Sequence, residues 1–252
     1  MPMINLEKQV AASASDLLDE KKTSVVIRNF ASADKCRRLS SNTTPDLPGV
    51  FGDLDIAIVY RMFDVFHALD DLVEEWAVTR NTYGYAALSG LSHAVRRSGG
   101  IRPHVDGPTV EADGSHRLFG PITASLRIDS NPNVKREITV NKWPTTDACL
   151  KDGFPTEKYI RQEPDRRRIL AEKFNWWLGS RTFTQNPGDL VLFRGHPRPV
   201  RHAISQQGKT EQIIFGYQLQ GEGNASQHQT RLRNAEYDEY PTTRWGACEW
   251  SM

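Results

Sequence analysis

The sequence predicts an α+β fold, a β-sandwich or jelly roll buttressed by helices. Three observations carry this reading. Apolar residues recur at helical spacing mainly within the first 80 positions. From residue 83 to residue 219 short apolar segments follow one another, separated by Gly, Pro, Asn and Asp in the manner of antiparallel β structure. A single further helical stretch interrupts them. Helices first and strands afterwards indicate segregated rather than alternating elements.

In chain order, residues 6–19 read as a first helix with one apolar stripe. Residues 24–30 (SVVIRNF) make a short apolar strand, and Ser32 is an N-cap for a second helix over 33–39. A polar loop with Pro45, Pro48 and two glycines leads to residues 55–79, the longest helical pattern. There Ile58, Met62, Val65, Phe66, Leu69 and Val73 fall near helical spacing. Strands are expected at 83–88, 101–105, 122–128 and 138–143. The inserted helix spans 165–178, and strands resume at 181–185, 189–193, 200–205 and 212–219. With no internal repeat or low-complexity linker, residues 1–252 are expected to form one domain. Its parts are 1–80 as mainly helical support, 81–220 as the jelly-roll core and 221–252 as a C-terminal covering segment with Tyr237, Tyr240, Trp245 and Trp250.

Composition narrows the function classes. Hydrophobic residues at 38% and charged residues at 25% describe an ordinary globular chain. With 32 basic against 31 acidic residues, the net charge of +1 argues against bulk attraction to nucleic acid or an anionic membrane. The expected partner is therefore a small molecule. The densest basic cluster, Arg166-Arg167-Arg168, lies in a helix-like stretch and reads as a solvated face. Cys36, Cys149 and Cys248 are far apart and form no CxxC or Cys/His zinc pattern, which suits a reducing compartment. The N-terminus has early acidic residues and no apolar run, and no stretch reaches the ~18 consecutive apolar residues of a membrane span. A cytoplasmic location is expected.

The chemistry-bearing segment is 99–107 (GGIRPHVDG). Residues two apart in a strand share a face, so His104 and Asp106 project together. An imidazole and a carboxylate on one face supply two ligands of a 2-His-1-carboxylate triad, a site that holds Fe(II) and leaves positions open. HxD alone is weak, because a His and an Asp at a strand end beside a turn make the same pattern. The second half is 186–193 (NPGDLVLF), a turn running into a strand. A Gly/Pro-bearing reversal follows, then His202 on the next strand (VRHAI). That order of elements can return His202 beside the first pair. His196, in Gly195-His196-Pro197, competes as the distal ligand but sits in the reversal itself, where its direction is less controlled. His67, His93, His116 and His228 have no partner pattern, and His67 reads as a packed or surface residue of the long helix.

With both halves in view, the chain resembles the Fe(II)/2-oxoglutarate-dependent oxygenases, in their small-molecule hydroxylase and halogenase branch. The segment SVVIRNFASADKCRRL is similar to the family's strand–loop–helix opening, and 138–143 (ITVNKW) to a mid-barrel strand. The resemblance covers most of residues 24–220, though only HxD and GDLVLF…H are specific. It implies a double-stranded β-helix (jelly roll) core, with His104, Asp106 and His202 as the metal-binding and catalytic set. It also implies Fe(II) as the metal and 2-oxoglutarate and O₂ as co-substrates, giving succinate and CO₂. The reaction implied is oxidation of an unactivated C–H in a small molecule such as an amino acid or natural-product intermediate. Family halogenases carry a small residue in place of the carboxylate, so Asp106 implies hydroxylation, or desaturation or ring closure, rather than halogenation.

The far carboxylate of 2-oxoglutarate needs a buried cation. Many members carry it about ten residues beyond the distal His, where this chain has Gln212; Lys209 comes earlier, beside Gly208 in a turn. Other branches take it from the strand after HxD, where Arg127 stands in ITASLRI. Arg127 reads equally as an outward-facing residue or as one paired with Asp129 or Glu137. Arg127 and Gln212 are the expected cofactor contacts. Arg96, Arg97 and Arg102 adjoin the HxD strand and could clamp a substrate carboxylate, though each reads as well as a solvated turn charge. Trp176-Trp177 reads as core packing. Two other functions stay open: a cupin-like iron dioxygenase without 2-oxoglutarate, and a non-catalytic β-sandwich binding module in which HVD is accidental.

Overall fold

Apolar stripes set the helices. In the computed structural model, which describes residues 3–41, 52–53, 56–80, 85–88, 93–97, 100–104, 109–110, 116–143, 150–151, 154–155, 166–195 and 200–220, helix α1 is Met3–Leu18. It buries Val10, Ala14, Leu17 and Leu18, one face of a 3.6-residue period. Strand β1 is Ser24–Ile27, and α2 is Ala33–Ser41. Ser32 caps α2 as expected: its Oγ accepts from the Lys35 N–H at 3.3 Å.

The longest expected helix is two helices, α3 Ile56–Met62 and α4 Val65–Arg80. The break falls at Phe63-Asp64. Phe63 stacks on Phe30 with ring centroids 4.8 Å apart and meets the edge of Phe66. Lys35 Nζ donates to Met62 O at 2.6 Å and lies 4.5 Å from the Phe63 ring centroid. An ammonium thus satisfies a carbonyl left open at the end of α3 while resting on an aromatic face. Apolar spacing runs through both helices, so the pattern alone does not reveal the break.

The strands are β2 Gly52–Asp53, β3 Tyr85–Leu88, β4 His93–Arg97, β5 Ile101–His104, β6 Thr109–Val110, β7 His116–Arg127, β8 Arg136–Asn141, β9 Leu150–Lys151 and β10 Phe154–Pro155. Helix α5 is Arg166–Gly179, followed by β11 Ser180–Thr184, β12 Leu190–Arg194, β13 His202–Gln206 and β14 Thr210–Gln220. One sheet has the order β1-β12-β7-β14-β4-β2, with β3 also on β14 and β6 on β7. A second has the order β11-β8-β13-β5, and β9 and β10 pair separately. All these pairings are antiparallel. From β4 to β14 the chain passes repeatedly between the two larger sheets. The N-terminal 80 residues contribute β1 and β2 to the first sheet as well as the helices. Strand β4 was not among the expected strands.

Alternation along the strands makes two cores. Ile122, Ala124 and Leu126 of β7, Leu190 and Leu192 of β12, and Ile213 of β14 pack with Val10, Leu17, Leu69 and Val73 of the helices. On the opposite face, Val191 and Phe193 of β12 meet Ile138 and Val140 of β8 and Ile204 of β13. The helices therefore cover the back of the first sheet, and the two sheets face each other across the second core. The architecture is α+β. Among the described residues no helix is long and apolar enough to cross a membrane. The expected covering segment, 221–252, lies outside the described residues.

The Pro-Gly-Asp turn before β12 ties these layers together. Gly188 has φ +83°, and a Cβ there would lie 2.3 Å from Ala31 O, so glycine is required twice over. Asp189 accepts from the backbone N–H of Asn29 (3.0 Å) and Asn186 (2.9 Å) and pairs with Arg28 at 2.5 Å. Nearby, burial, helped by the Asp129 charge, pushes the Cys36 thiol up to about 11.

Because only the thiolate reacts, Cys36 should resist a thiol reagent at pH 8 in the folded protein. In a Cys149→Ser/Cys248→Ser background, titration should show reaction only on unfolding. The thiol is raised in the folded state, so this contribution to stability is present below pH 9 and is lost as pH rises towards 11.

Candidate functional site

His202 is the first residue of β13 and is buried, on the face it shares with Ile204 and Gln206. The Phe193 ring stacks on its imidazole, centroids 4.6 Å apart and planes 18° apart. Nδ1 lies 3.3 Å from Val200 O. With Nδ1 donating to that carbonyl, the lone pair sits on Nε2.

The Cα partners of His202 are His104 in β5 and Val140 in β8. Residues directly opposite in an antiparallel pair have Cα atoms roughly 4.5–5.5 Å apart. Two segments distant in sequence therefore meet at the two expected histidine positions. The register slips between His202 and Ile204, whose partner is Ile101. Gly100 permits this close approach, because a Cβ there would lie 2.5 Å from Ile204 O. Asp106 and the competing His196 lie outside the described residues, and of His104 the backbone alone is described. Among the described residues no three metal-ligating side chains are gathered.

Arg127 ends β7 as a buried side chain, 1% exposed. Its Nε and Nη2 clamp Asp129 Oδ2 and Oδ1 at 2.7 and 2.9 Å. Nη1 donates to Gln185 O at 2.7 Å, and Nη2 also reaches Asn131 O and Val134 O at 2.9 and 3.0 Å. Of the alternatives for this residue, the structure has the pairing with Asp129, which ties the turn after β7 to the end of β11. Gln212 is buried on the inner face of β14, where its Oε1 accepts from Ser125 Oγ at 3.0 Å and from Arg136 Nη2.

Arg136 was not singled out from the sequence, nor were Gln185, Gln206 and Thr210, which join it. The signal was present: in REITVN, Arg136 has the same strand parity as the apolar Ile138 and Val140. Other expectations resolve individually. His67 is exposed on α4, and Lys209 is exposed beside Gly208, whose φ is +105°. Arg96 and Arg97 are in β4, opposite Glu211 and Thr210, and Arg102 is in β5. The core-packing expectation for Trp176-Trp177 fails at Trp177, which is 77% exposed. Helix α5 turns Leu170, Phe174 and Trp177 outward and leads directly into β11, an edge strand of the second sheet.

No protein-family model matches this chain, and no curated protein matches it in sequence. Solved structures that it is similar to include a Pseudomonas putida prolyl-4-hydroxylase, at 14% identity and TM-score 0.44 over 84% of this chain and 99% of that one. HygX from Streptomyces hygroscopicus, with nickel and 2-oxoglutarate bound, is similar at 15% identity and TM-score 0.38, covering 79% and 83%. The non-haem alpha-ketoglutarate-dependent carbocyclase SnoK from nogalamycin biosynthesis is similar at 11% identity and TM-score 0.45, covering 92% and 93%. At such identities and scores, function has to be read from the site itself.

Replacing Arg127 with Gln strands the Asp129 carboxylate in the interior. Removing one partner of a buried ion pair costs about 3–5 kcal/mol, so the Arg127→Gln protein should unfold at markedly lower denaturant, as read by equilibrium urea titration.

Proposed function

We propose that this chain is a non-haem Fe(II)- and 2-oxoglutarate-dependent oxygenase that oxidises a small molecule. In this reading the two facing sheets form a double-stranded β-helix, and residues 1–252 act as one domain in the cytoplasm. The observation that carries it is the register of β13 against β5, with His202 opposite His104 and its imidazole buried between the sheets.

The donor chemistry fits the metal. His202 offers Nε2 because Val200 O engages Nδ1, the outer contact that commonly fixes a metal-binding histidine. His104, and Asp106 two residues further on, complete a 2-His-1-carboxylate set, which suits Fe(II) and leaves positions for co-substrate and O₂. When bound, that pair of groups supplies O₂ activation and C–H oxidation. The chain supplies orientation and dryness. Phe193 and Val200 hold the imidazole, while Ile138, Val140, Val191 and Ile204 line the space between the sheets with apolar surface that excludes water. With Asp106 as a ligand, hydroxylation is proposed over halogenation. The near-balanced charge favours a metabolite over a nucleic acid as substrate.

Anaerobic addition of Fe(II) and 2-oxoglutarate should produce a weak visible charge-transfer band and one iron per chain. His104→Ala and His202→Ala should each lose both, and succinate release across a panel of amino acids should find the substrate class. Iron bound without the band indicates a dioxygenase of the cupin type, and neither signal indicates a binding module. Full iron content in both variants overturns the ligand assignment. Gly100→Ala, which alters no ligand, should still lower iron retention by forcing β5 away from β13.

A further inference from the structure

Helix α5 carries an apolar stripe that the rest of the fold leaves in solvent. Leu170, Phe174, Trp177 and Leu178 are 67%, 59%, 77% and 48% exposed. At 3.6 residues per turn these positions span about 100° of the helix surface, the width that a helix ordinarily turns towards a core. Trp176, on the opposite side of the helix, is partly buried, so α5 docks by one face and presents the stripe on the other. The Phe174 and Trp177 rings lie 6.3 Å apart between centroids, which makes the stripe one continuous surface. Trp143, just after β8, is 48% exposed and extends it. A Cβ on Gly179, the last residue of α5, would lie 2.4 Å from the Trp143 ring.

Area and symmetry together indicate what covers this surface. The five side chains expose on the order of 600 Å², more than the scattered apolar residues of an ordinary surface present. Two such surfaces face to face bury roughly 1,200 Å², where specific and stable protein interfaces begin. Symmetry names the partner. Leu170 and Leu178 stand four residues before and four residues after Phe174. In an antiparallel helix pair with its two-fold axis at Phe174, that ring meets its own copy. Leu170 of each helix then meets Leu178 of the other, and Trp177 stands opposite Ala171, a small residue. A stripe with the same residue at i−4 and i+4 is complementary to itself, which is what an isologous interface requires.

We propose that this surface is a homodimer interface, in which α5 packs antiparallel on α5 of a second copy about a two-fold axis at Phe174, with Trp143 at the rim. The inference uses none of the metal-site residues and does not rest on the oxygenase reading.

The test is sedimentation equilibrium of the full chain at micromolar concentrations, where twice the mass of one chain is expected. Phe174→Glu and Phe174→Lys should each raise the dissociation constant on the order of 100-fold, because the axis sets like charges against each other. An equimolar mixture of the two should recover dimers, since position 174 then meets the opposite charge. Both should keep the native circular dichroism spectrum, because the residue is exposed. Leu170→Glu mixed with Leu178→Lys should likewise dimerise better than either alone, and this pair decides the matter if the Phe174 variants do not fold. A native chain that stays monomeric overturns the proposal, and so do dimers that persist in both Phe174 variants. Variants whose mixture stays monomeric overturn the two-fold pairing. A monomeric native chain that sediments with vesicles of phosphatidylcholine and phosphatidylserine assigns the stripe to a lipid surface and overturns it as well.

Discussion

Strand β13 lies between β8 and β5 and pairs with both, and the arrangement of the interior depends on that double pairing. The β8 pairing runs from His202↔Val140 to Gln206↔Arg136, so it sets the imidazole and the buried guanidinium at opposite ends of one short strand. The β5 pairing brings the middle of the chain to the same level as His202. A slip of one residue would turn every side chain of β13 to the other face, exposing His202, Ile204 and Gln206 together. What prevents the slip is burial of the inner apolar cluster, where each large side chain contributes about 1.5–3 kcal/mol.

Two arginines of equal burial are held by different sets of neighbours. Arg127 makes both halves of a bidentate carboxylate contact and three bonds to backbone carbonyls, so its charge is compensated within a turn. Arg136 donates to side-chain amides and a hydroxyl drawn from both sheets.

Much of the fold was legible in local pattern. Ser32 capped its helix, the Pro-Gly-Asp turn led into β12, and the strands around residues 101, 138, 190 and 202 stand close to where alternation put them. The misses have physical causes. The split at Phe63-Asp64 depends on Phe30 and Lys35, residues some thirty positions away that pack on the break. Strand β4 is charged in sequence and is a strand because β14 and β2 pair with it. Trp177 is 77% exposed, on the helix that leads into the edge strand β11, and whether a helix residue is covered depends on tertiary neighbours.

The sequence by itself determined which segments are helix and strand and which residue types could bind a metal, because period, capping and turn chemistry act over a few residues. It also placed His202 on a strand close to where that strand stands. Only the tertiary structure decided that Arg127 closes on Asp129, and that the positions of His104 and His202 are neighbours. Those outcomes depend on strand register and on partners drawn from four or five distant segments, and neither is written into any local run of residues.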